Sequence, residues 1–80
     1  MRLKCRPLMN GPGPSETTVS ITTSEGKDQL VVDSELVHGD LLEVLRVLEQ
    51  DKDRALVELP RESVSGRWRV WVPRSALAAA

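Results

Sequence analysis

Aromatic residues are nearly absent from this 80-residue chain, which has two tryptophans and neither phenylalanine nor tyrosine. Its single cysteine cannot form an internal disulfide. One cysteine and one histidine also cannot supply the roughly four ligands of a structural zinc site. No run approaches about 18 apolar residues, so we expect no membrane span. These absences exclude a disulfide-stapled or zinc-stapled scaffold, and we expect neither a metal site nor a cofactor.

The beginning of the chain is basic and is then interrupted by glycine and proline. No apolar stretch follows the basic residues, so we expect no secretory signal. A lone Cys5 suits a reducing cytoplasm. The Gly-Pro-Gly-Pro segment at residues 11–14 cannot hold a helix or a central strand. We therefore predict a flexible basic arm over residues 1–15 and one domain over residues 16–80.

What remains is the composition of an ordinary globular domain, with 40% apolar residues, 29% charged residues and a net charge of −1. A chain of this size buries only roughly 60% of its unfolded surface. Because so small a core gives little stability, a homodimer is one way to complete it.

The apolar pattern predicts β-strands. β-Branched residues favour a strand over residues 17–23, a turn around Gly26 and a second strand over residues 29–32. Residues 54–59 form a third strand in this interpretation. The clearest alternation with period two lies in residues 67–73, where Pro73 ends the strand.

The Leu/Val-rich segment 41–50 fits two structures. As a helix over residues 40–51, it would begin at Asp40 with Glu43 completing a capping box. As a strand, it would form a hairpin with residues 54–59 across a short polar turn. The proximity of that next strand favours the hairpin, and the helix gives the alternative fold class, α+β.

Two segments resemble SH3 domains in the order of their residues. Residues 35–45 read ELVHGDLLEVL and residues 66–77 read GRWRVWVPRSAL. The SH3 family has a Gly-Asp turn before a long strand and a Val-Pro pair at the end of its last strand. The resemblance covers a little over half of the chain and implies a mainly β fold, a small SH3-like barrel of about five strands.

The chain departs from that family where SH3 domains bind peptides. The family grips polyproline II ligands between aromatic rings. Here the N-terminal strand has no aromatic residue, and Ala55 and Ala76 stand near positions where the family has rings. Val70 replaces a small glycine. We therefore do not expect a Pro-rich peptide ligand.

Trp71 is the strongest candidate for a contact residue. We expect Trp68 in the core. If Trp68, Val70 and Val72 all face the core, Trp71 faces outward on the opposite side of the strand. Exposed tryptophan flanked by arginine is typical of interface hot spots. The predicted partner-binding residues are Trp71, Arg69, Arg67 and Arg74. The alternative is that Trp71 only covers one end of the domain or packs under the N-terminal arm.

Charge is distributed unevenly along the chain. Residues 16–53 contain three bases and ten acids, a net of −7, whereas residues 54–80 contain five arginines and two acids, a net of +3. The arginines could neutralise the acidic segment within the molecule, bind an acidic partner protein or bind nucleic acid. The nearly neutral total argues against nucleic acid.

Enzymatic chemistry has little support in the sequence. His38 is the only imidazole and has no recognisable nucleophile beside it, so we expect a surface residue. Asp51 and Asp53 lie in a polar turn where no burial would raise a pKa. We therefore predict a non-catalytic binding or assembly module that makes protein–protein contacts, with a partner or with its own copies. The alternative is a small nucleic-acid-binding β-barrel that uses the C-terminal arginines.

Overall fold

The computed structural model describes residues 1–78, and this part of the chain contains ten β-strands. They are β1 (Arg2–Lys4), β2 (Arg6–Asn10), β3 (Glu16–Thr23), β4 (Gly26–Asp33), β5 (Val37–His38), β6 (Leu41–Glu43), β7 (Arg46–Gln50), β8 (Arg54–Glu58), β9 (Arg69–Pro73) and β10 (Leu77–Ala78). Two short 3₁₀ turns lie at Ser34–Leu36 and Arg74–Ala76. The prediction of a mainly β fold is confirmed.

The strands form three small antiparallel sheets, in the orders β10-β1-β6-β5, β2-β3-β4 and β7-β8-β9. The sequence predicted about five strands in one barrel. Within residues 1–78 the strands are shorter and more numerous, and the sheets do not close into a barrel. Breaks between consecutive strands allow one extended segment to pair with different partners. Thus β6 pairs with β1, whereas β7, which begins after two intervening residues, pairs with β8.

The Leu/Val-rich segment is extended, and the alternative prediction of a helix over residues 40–51 is wrong. Leu42 is fully buried between Leu3 on β1 and Val37 on β5. β7 pairs with β8, as the hairpin interpretation predicted. Pairing with neighbouring strands on both sides outweighs the modest helix propensity of leucine and glutamate.

The first ten residues differ from the arm predicted for residues 1–15. They form β1 and β2, and Leu3 has no exposed surface. β1 lies between β6 and β10 in its sheet, so its backbone is paired on both sides. The prediction of an arm rested on the basic residues and overlooked Leu3, whose burial packs this segment against the rest of the fold.

The core consists of aliphatic side chains from all three sheets and from two residues just outside the strands, Val44 and Leu59. Its members are Leu3, Val19, Ile21, Leu30, Val32, Leu42, Val44, Ala55, Val57, Leu59, Val70 and Val72. Neither tryptophan belongs to it. Aliphatic residues therefore supply the buried apolar surface of the core, and both indole rings lie outside it.

The β3–β4 hairpin shows how a local sequence sets the register. Gly26 has a φ of 111°, which a residue with a Cβ rarely adopts. The buried Thr23 hydroxyl donates to the Gly26 carbonyl at 2.7 Å and accepts from the Glu25 amide at 3.1 Å. The turn predicted around this glycine is confirmed.

Candidate functional site

Trp71 lies on the outer face of the β7-β8-β9 sheet. Its neighbours Val70 and Val72 are buried, and Trp71 is partly exposed on the opposite side of β9. Across the sheet it pairs with Leu56 of β8, which is also partly exposed. The outward orientation predicted from the alternating pattern is confirmed.

Arg54 covers one side of the Trp71 ring. Its guanidinium carbon lies 4.1 Å from the ring centroid, within the range of a cation–π contact. Asp51 is 3.8 Å from the Arg54 Nε, which makes a loose ion pair in the β7–β8 turn. The ring is therefore held by its neighbours while keeping an accessible surface.

Arg69 belongs to a charge cluster on the same face. Its Nε lies 3.3 Å from Glu58 Oε2, and Arg46 Nε lies 2.9 Å from Glu58 Oε1. The hydrogen bond from Arg46, assisted by that from Arg69, lowers the pKa of the Glu58 carboxyl. The Glu58 side chain is only 14% exposed, whereas the two arginines are more than half exposed. One carboxylate thus pairs with two guanidinium groups, and the cluster of these three side chains has a net charge of +1.

The other two predicted arginines point elsewhere. Arg67 precedes β9 and makes two hydrogen bonds to Glu25, at 3.0 and 3.1 Å. Arg74 donates from Nη1 to the Asp51 carbonyl at 3.4 Å. The structure therefore brings together Trp71 and Arg69, and it engages Arg67 and Arg74 in contacts within the chain.

The contacts of Arg67 also bear on the uneven charge distribution. Glu25 belongs to the acidic segment 16–53, as does Glu16, whose Oε2 lies 3.1 Å from Arg61 Nη2. Both pairs join a late arginine to the β3–β4 region. Such exposed pairs each contribute about 0–1 kcal/mol to stability. Intramolecular neutralisation thus accounts for part of the late positive charge.

Trp68 was expected in the core, and that expectation is wrong. It is 52% exposed because β9 begins at Arg69, so the alternation that would aim Trp68 inward does not extend to it. Its carbonyl accepts from the buried Leu59 at 2.8 Å. Leu45, 62% exposed, lies on the other side of β8, where its amide donates to the Glu58 backbone carbonyl at 2.9 Å. An apolar pair thus flanks one end of the sheet.

The sequence also missed Arg54 as a partner of Trp71. The residues are 17 positions apart, and their contact depends on the β8–β9 register, in which Leu56 faces Trp71 and Arg54 faces Pro73. Arg54 is then the diagonal neighbour of Trp71. A correct pairing of residues 54–59 with 67–73 would have revealed it.

His38 is exposed, as expected, and its Nε2 lies 2.7 Å from Glu43 Oε2. This hydrogen bond lowers the pKa of the Glu43 carboxyl. Within residues 1–78, His, Cys, Asp and Glu side chains do not converge in groups of three or more that could hold a metal ion.

Comparison of the chain with protein-family models, with curated proteins and with solved structures finds no match. In the part of the chain that the structure describes, no helix has the length and apolar character needed to cross a membrane.

Proposed function

We propose that this chain is a non-catalytic binding or assembly module that contacts a protein surface through the outer face of the β7-β8-β9 sheet. The observation that carries the proposal is Trp71, partly exposed on that face with Arg54 stacked on its ring. Tryptophan and arginine dominate the binding energy of many interfaces. The proposal places the module in the cytoplasm, because the lone Cys5 suits a reducing compartment.

The face is preorganised for contact. The Trp71 backbone is fixed from both sides, through β8 and through the Ser24 amide, which donates to the Trp71 carbonyl at 2.7 Å. Arg54 restricts the ring itself. A side chain that is already ordered loses less conformational entropy when a partner binds.

A second copy of the chain is the partner that this face suits best. The face contains both signs of charge, with Arg46 and Arg69 around Glu58 and with Glu49 opposite Leu56. An isologous dimer needs such a self-complementary surface, because each group meets the same patch on the other copy. Two Trp71 rings and two Leu56 side chains would supply its apolar centre.

Nucleic-acid binding by the C-terminal arginines has less support. Arg61, Arg67 and Arg69 each lie within 3.3 Å of a glutamate oxygen. A phosphate would have to compete with those carboxylates. A salt titration with generic DNA and RNA separates the two functions, because binding through several phosphates weakens steeply as salt rises.

The resemblance to SH3-like barrels remains a prediction from the sequence. Two local features support it: Gly39 has a φ of 68° in the turn before β6, and Pro73 ends β9. Positions 55 and 76 are alanines, which have no ring to offer a peptide, and their side chains are buried and partly buried. The proposed module therefore does not use a polyproline groove.

Sedimentation equilibrium over a range of protein concentrations tests the proposed function. We expect the wild-type chain to self-associate and Trp71→Ala to sediment as a folded monomer, with its fold checked by circular dichroism. Val64→Ala is the matched control, because Val64 is 73% exposed but lies outside the three strands. A wild-type monomer at every concentration, or equal effects of the two substitutions, would contradict the proposal.

A further inference from the structure

A shallow cavity of about 230 Å³ lies on the outside of the β2-β3-β4 sheet and at the end of β1, and Trp71 is not among its lining residues. Its walls are Lys4, Cys5, Arg6, Ser20, Thr22 and Lys27. The strand register assembles them: Arg6 of β2 faces Ser20 of β3, and Thr22 of β3 faces Lys27 of β4. Residues from four strands therefore surround one opening.

The cavity wall contains three cationic side chains and no acid. Within residues 1–78, Lys4, Arg6 and Lys27 form no ion pair and share one cavity wall. Five arginines elsewhere each have a carboxylate within 4.0 Å, whereas Arg2, Lys52 and Arg74 also form no ion pair in this part of the chain. In a chain with a net charge of −1, clustering of unpaired cations needs a reason. Like charges that share one cavity wall repel one another, and an anion between them would relieve that repulsion.

The remaining wall groups suit an oxyanion. Ser20 and Thr22 supply hydroxyl donors, and the guanidinium of Arg6 can donate two parallel hydrogen bonds to oxygens of one phosphate. Lysine adds point charges on flexible stems. Because the groups converge from strands rather than from one loop, their spacing is set by the sheet.

Asp40 is the acid that bears on this region. The Cys5 amide donates to the Asp40 backbone carbonyl at 2.8 Å. Burial, together with the Asp40 charge, raises the pKa of the Cys5 thiol. Cys5 therefore contributes a neutral wall, and Asp40 is not among the residues that line the cavity.

We propose that this cavity binds a small phosphate-bearing molecule through Lys4, Arg6 and Lys27, with Ser20 and Thr22 as hydroxyl donors. A diphosphate group fits the site better than a single phosphate, because three cations can share its larger charge and its additional oxygens. The strands that line this cavity do not belong to the sheet of Trp71. The proposed phosphate binding can therefore be tested independently of the proposed protein contact.

Titration of the ¹⁵N-labelled chain with sodium pyrophosphate tests this proposal, with inorganic phosphate and sulfate run in parallel at constant ionic strength. We expect saturable amide shifts confined to residues 4–6, 20–22 and 27, with pyrophosphate binding most tightly. Lys27→Ala and Arg6→Ala should each weaken pyrophosphate binding about fivefold or more, the effect of losing one nearby charge. Lys52→Ala is the matched control, because Lys52 is an exposed lysine in the β7–β8 turn.

Alkylation of Cys5 gives a second readout, because this thiol lines the cavity and is the only one in the chain. Bound pyrophosphate should slow its modification by iodoacetamide, and the protection should weaken in Lys27→Ala. Non-saturating shifts spread over all basic residues, or an equal loss in Lys52→Ala, would overturn the proposal as general charge screening. Cosedimentation with phosphatidic acid vesicles, without binding of soluble pyrophosphate, would assign the site to a lipid headgroup and also overturn it.

Discussion

The guanidinium of Arg54 lies 4.1 Å from the ring centroid of Trp71, and this contact joins β8 to β9 on the outside of their sheet. The two residues are diagonal neighbours, since Leu56 directly faces Trp71 and Arg54 faces Pro73. Diagonal pairs that include an aromatic ring are within reach of long side chains. The contact orients the one tryptophan that the strand itself aims outward.

A double-mutant cycle measures what this contact contributes. We expect Arg54→Ala and Trp71→Leu to show a coupling of about 0.5–1 kcal/mol in the free energy of unfolding, the usual size of an exposed cation–π pair. Urea denaturation of the wild type, both single variants and the double variant gives the value. Asp51 also lies near Arg54. A second cycle that combines Arg54→Ala with Asp51→Asn therefore measures the contribution of that ion pair separately. Purely additive effects of Arg54→Ala and Trp71→Leu would show that the two side chains do not interact.

Trp68 and Leu59 provide a second prediction, because they lie side by side just beyond the paired ends of β8 and β9 but differ in burial. Leu59 has no exposed surface, whereas Trp68 is 52% exposed. We expect Leu59→Ala to lower the free energy of unfolding by about 2–5 kcal/mol. Trp68→Ala should change it by about 0.5 kcal/mol or less, as surface substitutions do. A large loss in Trp68→Ala would return that ring to the core.

The N-terminal strand gives a third prediction. Leu3 is fully buried, whereas Leu8, five residues later on β2, is 38% exposed. We expect Leu3→Ala to cost about 2–5 kcal/mol in chemical unfolding. Leu8→Ala, the same chemical change at an exposed site, should cost much less. Equal and small effects of both substitutions would mean that residues 1–15 behave as the arm that their composition suggested.

These contrasts show how far local patterns determine the structure. Alternation within residues 69–73 is a property of the strand itself, so the outward position of Trp71 followed from the sequence. The position of Trp68 depended on where the strand begins, which the pattern did not mark. The extended form of residues 41–50 required pairing partners as distant as Leu3, and its division into β6 and β7 reflects those different partners.

The cavity on the β2-β3-β4 sheet could not be predicted from the sequence for the same reason. Lys4, Arg6 and Lys27 are separated by up to 23 positions, and nothing in the spacing of these bases relates them. Arg6 and Lys27 line the cavity because two antiparallel pairings place them beside Ser20 and Thr22, and Lys4 lines it from the end of β1. Candidate sites built from register are visible only when the strand partners are known.

Glu58 connects the outer face to acid stability. Hydrogen bonds from Arg46 and Arg69 lower the pKa of its carboxyl below the unfolded value. A lowered folded-state pKa favours folding above the unfolded pKa, and this contribution is lost as pH falls through the folded one. We therefore expect Glu58→Gln to destabilise the chain at neutral pH, and the difference from wild type to shrink between about pH 5 and pH 2.

Urea denaturation at a series of pH values measures this difference directly. Asp28, Glu43 and Asp51 also have lowered pKa values, so acid should weaken the Glu58→Gln variant as well, though less steeply than the wild type. Glu62→Gln is the matched control, because Glu62 is an exposed loop carboxylate without an ion pair among residues 1–78. A gap between wild type and Glu58→Gln that stays constant with pH would show that the glutamate acts through packing rather than through its charge. The Arg46–Glu58–Arg69 cluster would then hold the strands together without making the fold sensitive to acid.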